Sequence, residues 1–346
     1  MIVDKDYCMS SFLMLRTIYN HEYRYAEHVN TKFFEENKDR YPVKDSFELE
    51  EKLKAEVKKA CEGGKTALAL SGGIDSAILA KYMPKGSVAY TFKCVVPGVQ
   101  VTDETPMANM YAEECGLEHR VIEIYWEDFE RYAPLLMKHK GSPIHSIEVQ
   151  IYKAALKAKE DGFDSLIFGE SADVNFGGQD GLLSKDWTTE EYMERYSYIN
   201  PIKVLKRPVV VREPFEDYSK NGMIDAHEFN RHVFYCEAMA TYTNACEAAD
   251  MRFWAPYSKT FMGIPMDYQR VRCGENKYLV REIFQRLYPN FIVPKKLPMP
   301  RPMNEWMQSW GGPQREEFIP GCTKDMTGDQ KWLLYCLEKF LNLIKE

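Results

Sequence analysis

A chain of 346 residues, 45% of them hydrophobic, is long enough to bury one large core or two. Its formal net charge of −7, with no strongly basic block, disfavours nucleic acid as a main partner, because phosphate backbones demand clustered Lys and Arg. The nine cysteines include no C-x-x-C pair, the first residues are not a secretory signal, and no apolar run reaches membrane-spanning length; together these argue against a zinc ribbon, a redox motif or a membrane anchor and suit reduced thiols in a cytoplasmic protein.

Taken in order, residues 1–62 form an N-terminal segment, rich in aromatic and aliphatic side chains over 11–25. Residues 47–61 read as an amphipathic helix with Leu49, Leu53, Val57 and Ala60 on one stripe. From 63 to 178 strand and helix alternate. The short apolar run 66–70, after Gly63-Gly64, reads as a buried strand, and 87–94, 119–124 and 164–168 read as three more. A helix over 103–115 has Pro106 in its first turn, Met107, Met110 and Tyr111 on one face, and Gly116 as its stop. A second, over 147–158, carries Ile147, Ile151, Ala154, Ala155 and Ala158 on one face. This alternation predicts an α/β fold with a doubly wound parallel sheet and ligands at the C-terminal ends of its strands. Residues 179–346 read as a mostly helical C-terminal lobe: one helical stretch over 227–250, another over 278–287, a loop at 294–302 with four prolines, and a closing helix over 332–344.

The first strand runs into Ser71-Gly72-Gly73-Ile74-Asp75-Ser76 and then a helix start. Glycine lets the backbone approach a phosphate, amide groups at a helix start point at the anion, and Ser71 and Ser76 add hydroxyl donors. A lone glycine pair after a strand would be an ordinary turn; the full hexapeptide after a strand is far more specific. Asp75 would repel a phosphate unless a cation stood between them, and magnesium held by one or two carboxylates plus phosphate oxygens is the usual arrangement. The loop therefore predicts Mg-ATP. Gly64-Lys65-Thr66 is not a Walker-type loop, because Lys59 holds the earlier glycine position and the triplet precedes the strand.

The pattern Ser-Gly-Gly-x-Asp-Ser resembles the PP-loop of the N-type ATP pyrophosphatases, which cleave ATP between the α- and β-phosphates. After the fourth strand comes Gly169-Glu170-Ser171-Ala172-Asp173-Val174-Asn175-Phe176-Gly177-Gly178, which resembles the synthetase domain of asparagine synthetase and the related enzymes that close β-lactam rings. Asp103-Glu104, Ser142-Pro143, Lys277-x-Leu279-x-Arg281 and Tyr288-Pro289 followed by Lys295-Lys296 are weaker matches. The resemblance implies a Rossmann-like PP-loop fold that binds ATP and Mg²⁺. It implies that Asp75 and Asp173 share the magnesium, that Ser71, Gly72, Gly73 and Ser76 hold pyrophosphate, and that Gly169 contacts the nucleotide. It further implies that Glu170 binds or deprotonates a nitrogen nucleophile, that Lys277 contacts phosphate, and that Lys296, or else Lys295, steadies the charge that develops as an acyl-adenylate is attacked. Each has a plainer reading: Glu170 as a helix-start acid, Asp173 as an N-cap, Lys277 and Lys296 as solvated charges.

Two features depart from the family. Ile2 stands where glutamine-dependent members carry a catalytic cysteine, and no glutaminase domain precedes the loop, so ammonia or an amine is expected to be used directly or to come from a partner subunit. The segment Arg252-Phe253-Trp254-Ala255-Pro256-Tyr257-Ser258-Lys259 lacks the family's acid, which argues for a substrate pocket unlike that of a plain asparagine synthetase. The expectation is an AMP-forming ligase that joins a small carboxylate to ammonia or an amine, with neither nucleic acid nor membrane as partner. The alternatives are ATP-activated amination or thiolation of a sugar or nucleoside carbonyl, and a non-catalytic nucleotide-binding subunit.

Overall fold

The computed structural model describes residues 2–36, 39–295 and 298–345. At its centre lies a strand that is buried at every position, β1 (Thr66–Ala69). It belongs to a five-stranded sheet with β2 (Val88–Cys94), β3 (Glu118–Ile124), β4 (Ser165–Ile167) and β5 (Arg252–Trp254), in the order β5-β4-β1-β2-β3. All four pairings are parallel, with Leu68 opposite Ala89 on one side and opposite Ile167 on the other.

A parallel sheet needs both faces covered, and alternation along each strand supplies the two faces. Ala67, Ala69, Leu166 and Phe168 enter one apolar core; Leu68, Leu70 and Ile167 enter the other. The first core is closed by α1 (Lys5–Leu15), α5 (Trp126–Lys140), α6 (Ile147–Glu160), α8 (Tyr235–Ala248) and α10 (Gly328–Leu343). The second is closed by α2 (Ser46–Cys61), α3 (Ile74–Ala80), α4 (Thr105–Cys115) and α9 (Tyr278–Leu287). A four-residue helix, α7 (Ala172–Asn175), follows β4. The sheet is thus doubly wound, as the strand–helix alternation predicts.

Local signals account for the helix ends. Asp45 caps α2 by accepting from the Phe47 and Glu48 amides at 2.9 Å each, and Leu49, Leu53, Val57 and Ala60 form its buried stripe. Gly116 ends α4 at φ +67°.

Several expectations are corrected. The buried face of α4 is Ala108, Tyr111 and Ala112, and Met110 is 48% exposed, because the sheet lies about one position round from the apolar stripe. The fifth strand comes from 252–254, beyond residue 178; three residues are too few for a periodic signal, and parallel pairing with Ser165–Ile167 decides their state. The stretch 227–250 is helical but contains a π turn, Asn230–Phe234, immediately before α8. The reading of the cysteines as reduced thiols is not among the corrections, since all nine are free. Among the described residues no helix is long and apolar enough to cross a membrane.

The chain goes outward from β1 through β2 to β3, then returns to lay β4 on the other side of β1. The reversal between β1 and β4 opens a crevice at the carboxyl ends of those two strands, where α/β sheets take their ligands. Both glycine motifs leave the sheet there.

Candidate active site

The loop after β1 is held by its own hydroxyls. The Ser71 amide donates to Ser76 Oγ at 3.0 Å, the two Oγ atoms are 3.0 Å apart, and the Gly73 amide donates to Ser71 Oγ at 3.2 Å. No side chain caps the start of α3. The Tyr257 hydroxyl donates to the Asp75 carbonyl at 3.2 Å. Tyr257 lies in the stretch that departs from the family pattern, and it braces the loop from behind.

Gly169 follows β4 and touches this loop. A Cβ there would lie 2.9 Å from the Ser76 nitrogen and 3.1 Å from Asp75 Cβ. The close approach of two backbones is what requires glycine.

Asp173, in the first turn of α7, and Asp75 converge on one cation. Lys277 Nζ lies 2.9 and 2.7 Å from the two Asp75 oxygens and 2.9 Å from Asp173 Oδ1. The Lys277 side chain is 7% exposed. Burial by itself lowers its pKa, but the Asp173 and Asp75 charges outweigh that and hold it above its ordinary value. Gly178 makes room for the pair: a Cβ there would fall 2.2 Å from Asp173 Oδ1 and 2.8 Å from Lys277 Cδ. Both Ser171, at φ +75°, and Lys277, at φ +52°, hold left-handed backbone that non-glycine residues seldom adopt, the kind of strain that collects at functional sites.

The shared ammonium leads to an expected result. Removing one member of a buried charge group costs about 3 kcal/mol or more. Lys277→Met should therefore lower the Tm in EDTA, and millimolar MgCl₂ should restore part of the loss, with a larger Mg²⁺-induced shift than in the wild type. Equal Mg²⁺ shifts in the two proteins, read by thermal unfolding without nucleotide, would show that the two carboxylates do not accept a divalent cation in place of the ammonium.

Asp75, Asp173 and Lys277 line one cavity of about 630 Å³, which Lys295 also lines. Glu170 points into it, its Oε1 accepting from the Ser171 amide at 2.8 Å. Burial, reinforced by the Asp173 charge, pushes the Glu170 carboxyl up from 4.5 to about 7, against the hydrogen bonds from the Ser171 amide and the Tyr242 hydroxyl. Glu104, on the same cavity wall, is also raised to about 7 by burial and by Asp103.

The structure thus brings Ser71, Gly72, Gly73, Asp75, Ser76, Gly169, Glu170, Asp173 and Lys277 to one cavity. Lys296 lies outside the described residues. Sequence reasoning missed Tyr242, Glu237 and Thr241, which line the cavity from α8, and Arg16 and His145, which also line it. None sits in a motif. The π turn that brings Phe234 to the cavity and leads into α8 has no sequence signature either.

The asparagine synthase family model matches residues 48–259, more than half of the chain. The chain belongs to the asparagine synthase family. It is accordingly an ATP-using enzyme of the PP-loop class. The matched region contains β1 to β5 and both glycine motifs, and ends before Lys277. No curated protein matches the chain. Among solved structures, NMN synthetase from Francisella tularensis aligns over 74% of this chain and 100% of its own, with 13% identity and a TM-score of 0.28. The U34-tRNA thiolase from Methanococcus maripaludis aligns over 72% and 82%, with 16% identity and a TM-score of 0.26. Scores this low carry no argument about substrate or mechanism.

Proposed function

We propose that this member of the asparagine synthase family activates a carboxylate with ATP, releasing pyrophosphate, and transfers the acyl group from AMP to ammonia or an amine. The observation that carries the reading is the meeting, in one cavity, of a Ser-Gly-Gly-x-Asp-Ser loop with the Glu170 carboxyl and the Asp75–Lys277–Asp173 cluster.

A carboxylate does not react with an amine at neutral pH, so the oxygen must first be made a leaving group. The Ser71–Ser76 loop, with its amides and two hydroxyls, grips the pyrophosphate end of ATP, and Gly169 lets the nucleotide lie against the end of β4. Asp75 and Asp173 would hold Mg²⁺. Their geometry suits it: both already sit within 2.7–2.9 Å of one shared cation, the Lys277 ammonium. Two carboxylates also match an ion that keeps waters and phosphate oxygens in its shell. An ion held there would supply positive charge to offset that on the departing pyrophosphate. Lys277, beside the same two carboxylates, would contact the phosphates. Glu170 takes the proton that an ammonium must lose before it attacks. Lys296, or Lys295, steadies the oxyanion. Ammonia enters from solution or from a partner subunit.

The test is to incubate the purified chain with Mg-ATP and a panel of carboxylic acids, with and without ammonium or amines, and to assay AMP and pyrophosphate. Release of AMP and pyrophosphate that depends on one acid is the expected result. ADP in place of AMP, or hydrolysis indifferent to every acid, would overturn the reading.

A further inference from the structure

Asp75 and Asp173 come from different elements, so a third group must set the distance between them. Asp173 stands on α7, a helix of four residues, and among the described residues no side chain caps it. A single turn has almost no stability of its own, so the contacts of its side chains decide where it lies. The decisive contact belongs to Asn175, which is 0% exposed. Its Nδ2 donates to the Tyr257 carbonyl at 3.0 Å, and its Oδ1 accepts from Arg40 Nη2 at 2.7 Å. The amide has one possible orientation, because a guanidinium only donates and a carbonyl only accepts.

Tyr257 is the residue whose hydroxyl donates to the Asp75 carbonyl at 3.2 Å. Asn175 therefore ties the helix of Asp173 to the brace behind Asp75. Arg40, which precedes the family-matched region, closes this tie from the other side. Its side chain is 6% exposed. Its Nη1 donates to Glu36 Oε1 at 2.7 Å, and Nη2 also reaches the Thr260 carbonyl at 3.3 Å. The Tyr235 and Phe261 rings lie 4.9 and 5.5 Å from the guanidinium carbon. The residues that follow, Tyr41–Val43, pair in parallel with Thr260–Met262 and hold the backbone of Arg40 in place. A buried ion pair is weak evidence for stability, since apolar side chains of similar volume serve as well or better. An arginine buried here is better explained by what it holds: without it the buried Asn175 Oδ1 would lose this donor, and with it the reason to face that way.

We propose that Arg40 is a positioning residue for the divalent-cation site: through the Asn175 amide it fixes the spacing of the Asp75 and Asp173 carboxylates, and so sets how tightly the pair holds a cation. The assignment rests on the reading of those two carboxylates as the Mg²⁺ ligands and is independent of which acid and which amine are joined.

The experiment is a titration of the full chain with Mn²⁺ alone, the free ion being counted by EPR. The wild type should bind one ion that Asp173→Asn loses. Arg40→Met should bind it at least tenfold more weakly. Because Arg40→Met strands the buried Asn175 acceptor, the double variant Arg40→Met with Asn175→Leu, which removes both polar partners, is the folding control. It should unfold near the wild-type temperature and still bind Mn²⁺ at least tenfold more weakly, a result that an arginine serving stability alone would not give. Wild-type Mn²⁺ affinity in either variant, no ion bound by the wild type, or a wild-type ion that Asp173→Asn leaves in place would overturn the proposal. A wild type that binds Mn²⁺ as expected, with both variants weakened, but releases no AMP with any acid would instead sink the amide-ligase reading and leave the Arg40 assignment standing.

Discussion

Gly169→Ala should reduce acid-dependent AMP release by about 10²-fold or more and abolish the ATP-induced rise in Tm, while leaving a folded protein. The added Cβ would meet the Ser76 nitrogen at 2.9 Å, Asp75 Cβ at 3.1 Å and the Asp75 carbonyl carbon at 3.2 Å. Two of these are backbone atoms and none can swing aside, so the loop after β1 must shift as a unit. That loop carries Ser71, Ser76 and Asp75, and displacing reacting groups by about 1 Å costs about 10²-fold in rate. The structural penalty is smaller, typically about 1–3 kcal/mol for an overpacked methyl group. Gly63→Ala is the control, because a Cβ there meets nothing within 4 Å. Steady-state kinetics and thermal unfolding of both variants settle the matter: wild-type turnover in the Gly169→Ala variant would mean that the end of β4 does not set the position of the loop after β1.

Much of this architecture is written into local sequence. Residues 66–70 are apolar and followed by glycines, and the helices over 47–61 and 278–287 declare themselves by period, as α2 and α9 bear out. Both glycine motifs fall at the crevice because strand–helix alternation forces a parallel sheet with a reversal point. What was not legible depends on contacts distant in sequence. Arg252–Trp254 becomes a strand only because β4 offers it an edge. Tyr257 looks like a substitution in a substrate loop, yet its hydroxyl supports the Asp75 carbonyl. Lys277 reads as a phosphate contact, and nothing in its neighbours announces that its ammonium would sit between two aspartates 202 and 104 residues away in the chain (277 − 75 and 277 − 173). Arg16 carries no motif at all; its left-handed backbone and its place at the cavity wall are properties of the packed α1. Periodicity reports which face of an element is buried, and is silent on which polar side chain from another element will meet it.

Glu170→Gln should lower transfer to ammonia or an amine by about 10²–10⁴-fold, the range for losing a general base, while the acid-dependent exchange of pyrophosphate into ATP continues. The pH profile identifies the role. A base with its carboxyl at about 7 is half-protonated there, so wild-type transfer should fall as the pH drops below 7 and level off above it. In the variant that limb should vanish. If it persists, Glu104, also raised to about 7, is the group being read. Stability should move the opposite way. Between the ordinary 4.5 and about 7 the folded chain keeps a proton on Glu170 that the unfolded chain has lost, so this group's contribution to stability is complete below 4.5 and drains away as the pH rises to 7. Glutamine, never charged, escapes that loss. The variant should therefore gain Tm relative to the wild type at pH 8 but not at pH 4. A carboxyl that served only as a helix-start acid would show the reverse, because its charge would stabilise the helix and its removal would lower Tm at pH 8. Loss of transfer together with a gain in stability at the same pH is the signature of a half-buried carboxyl kept for its chemistry.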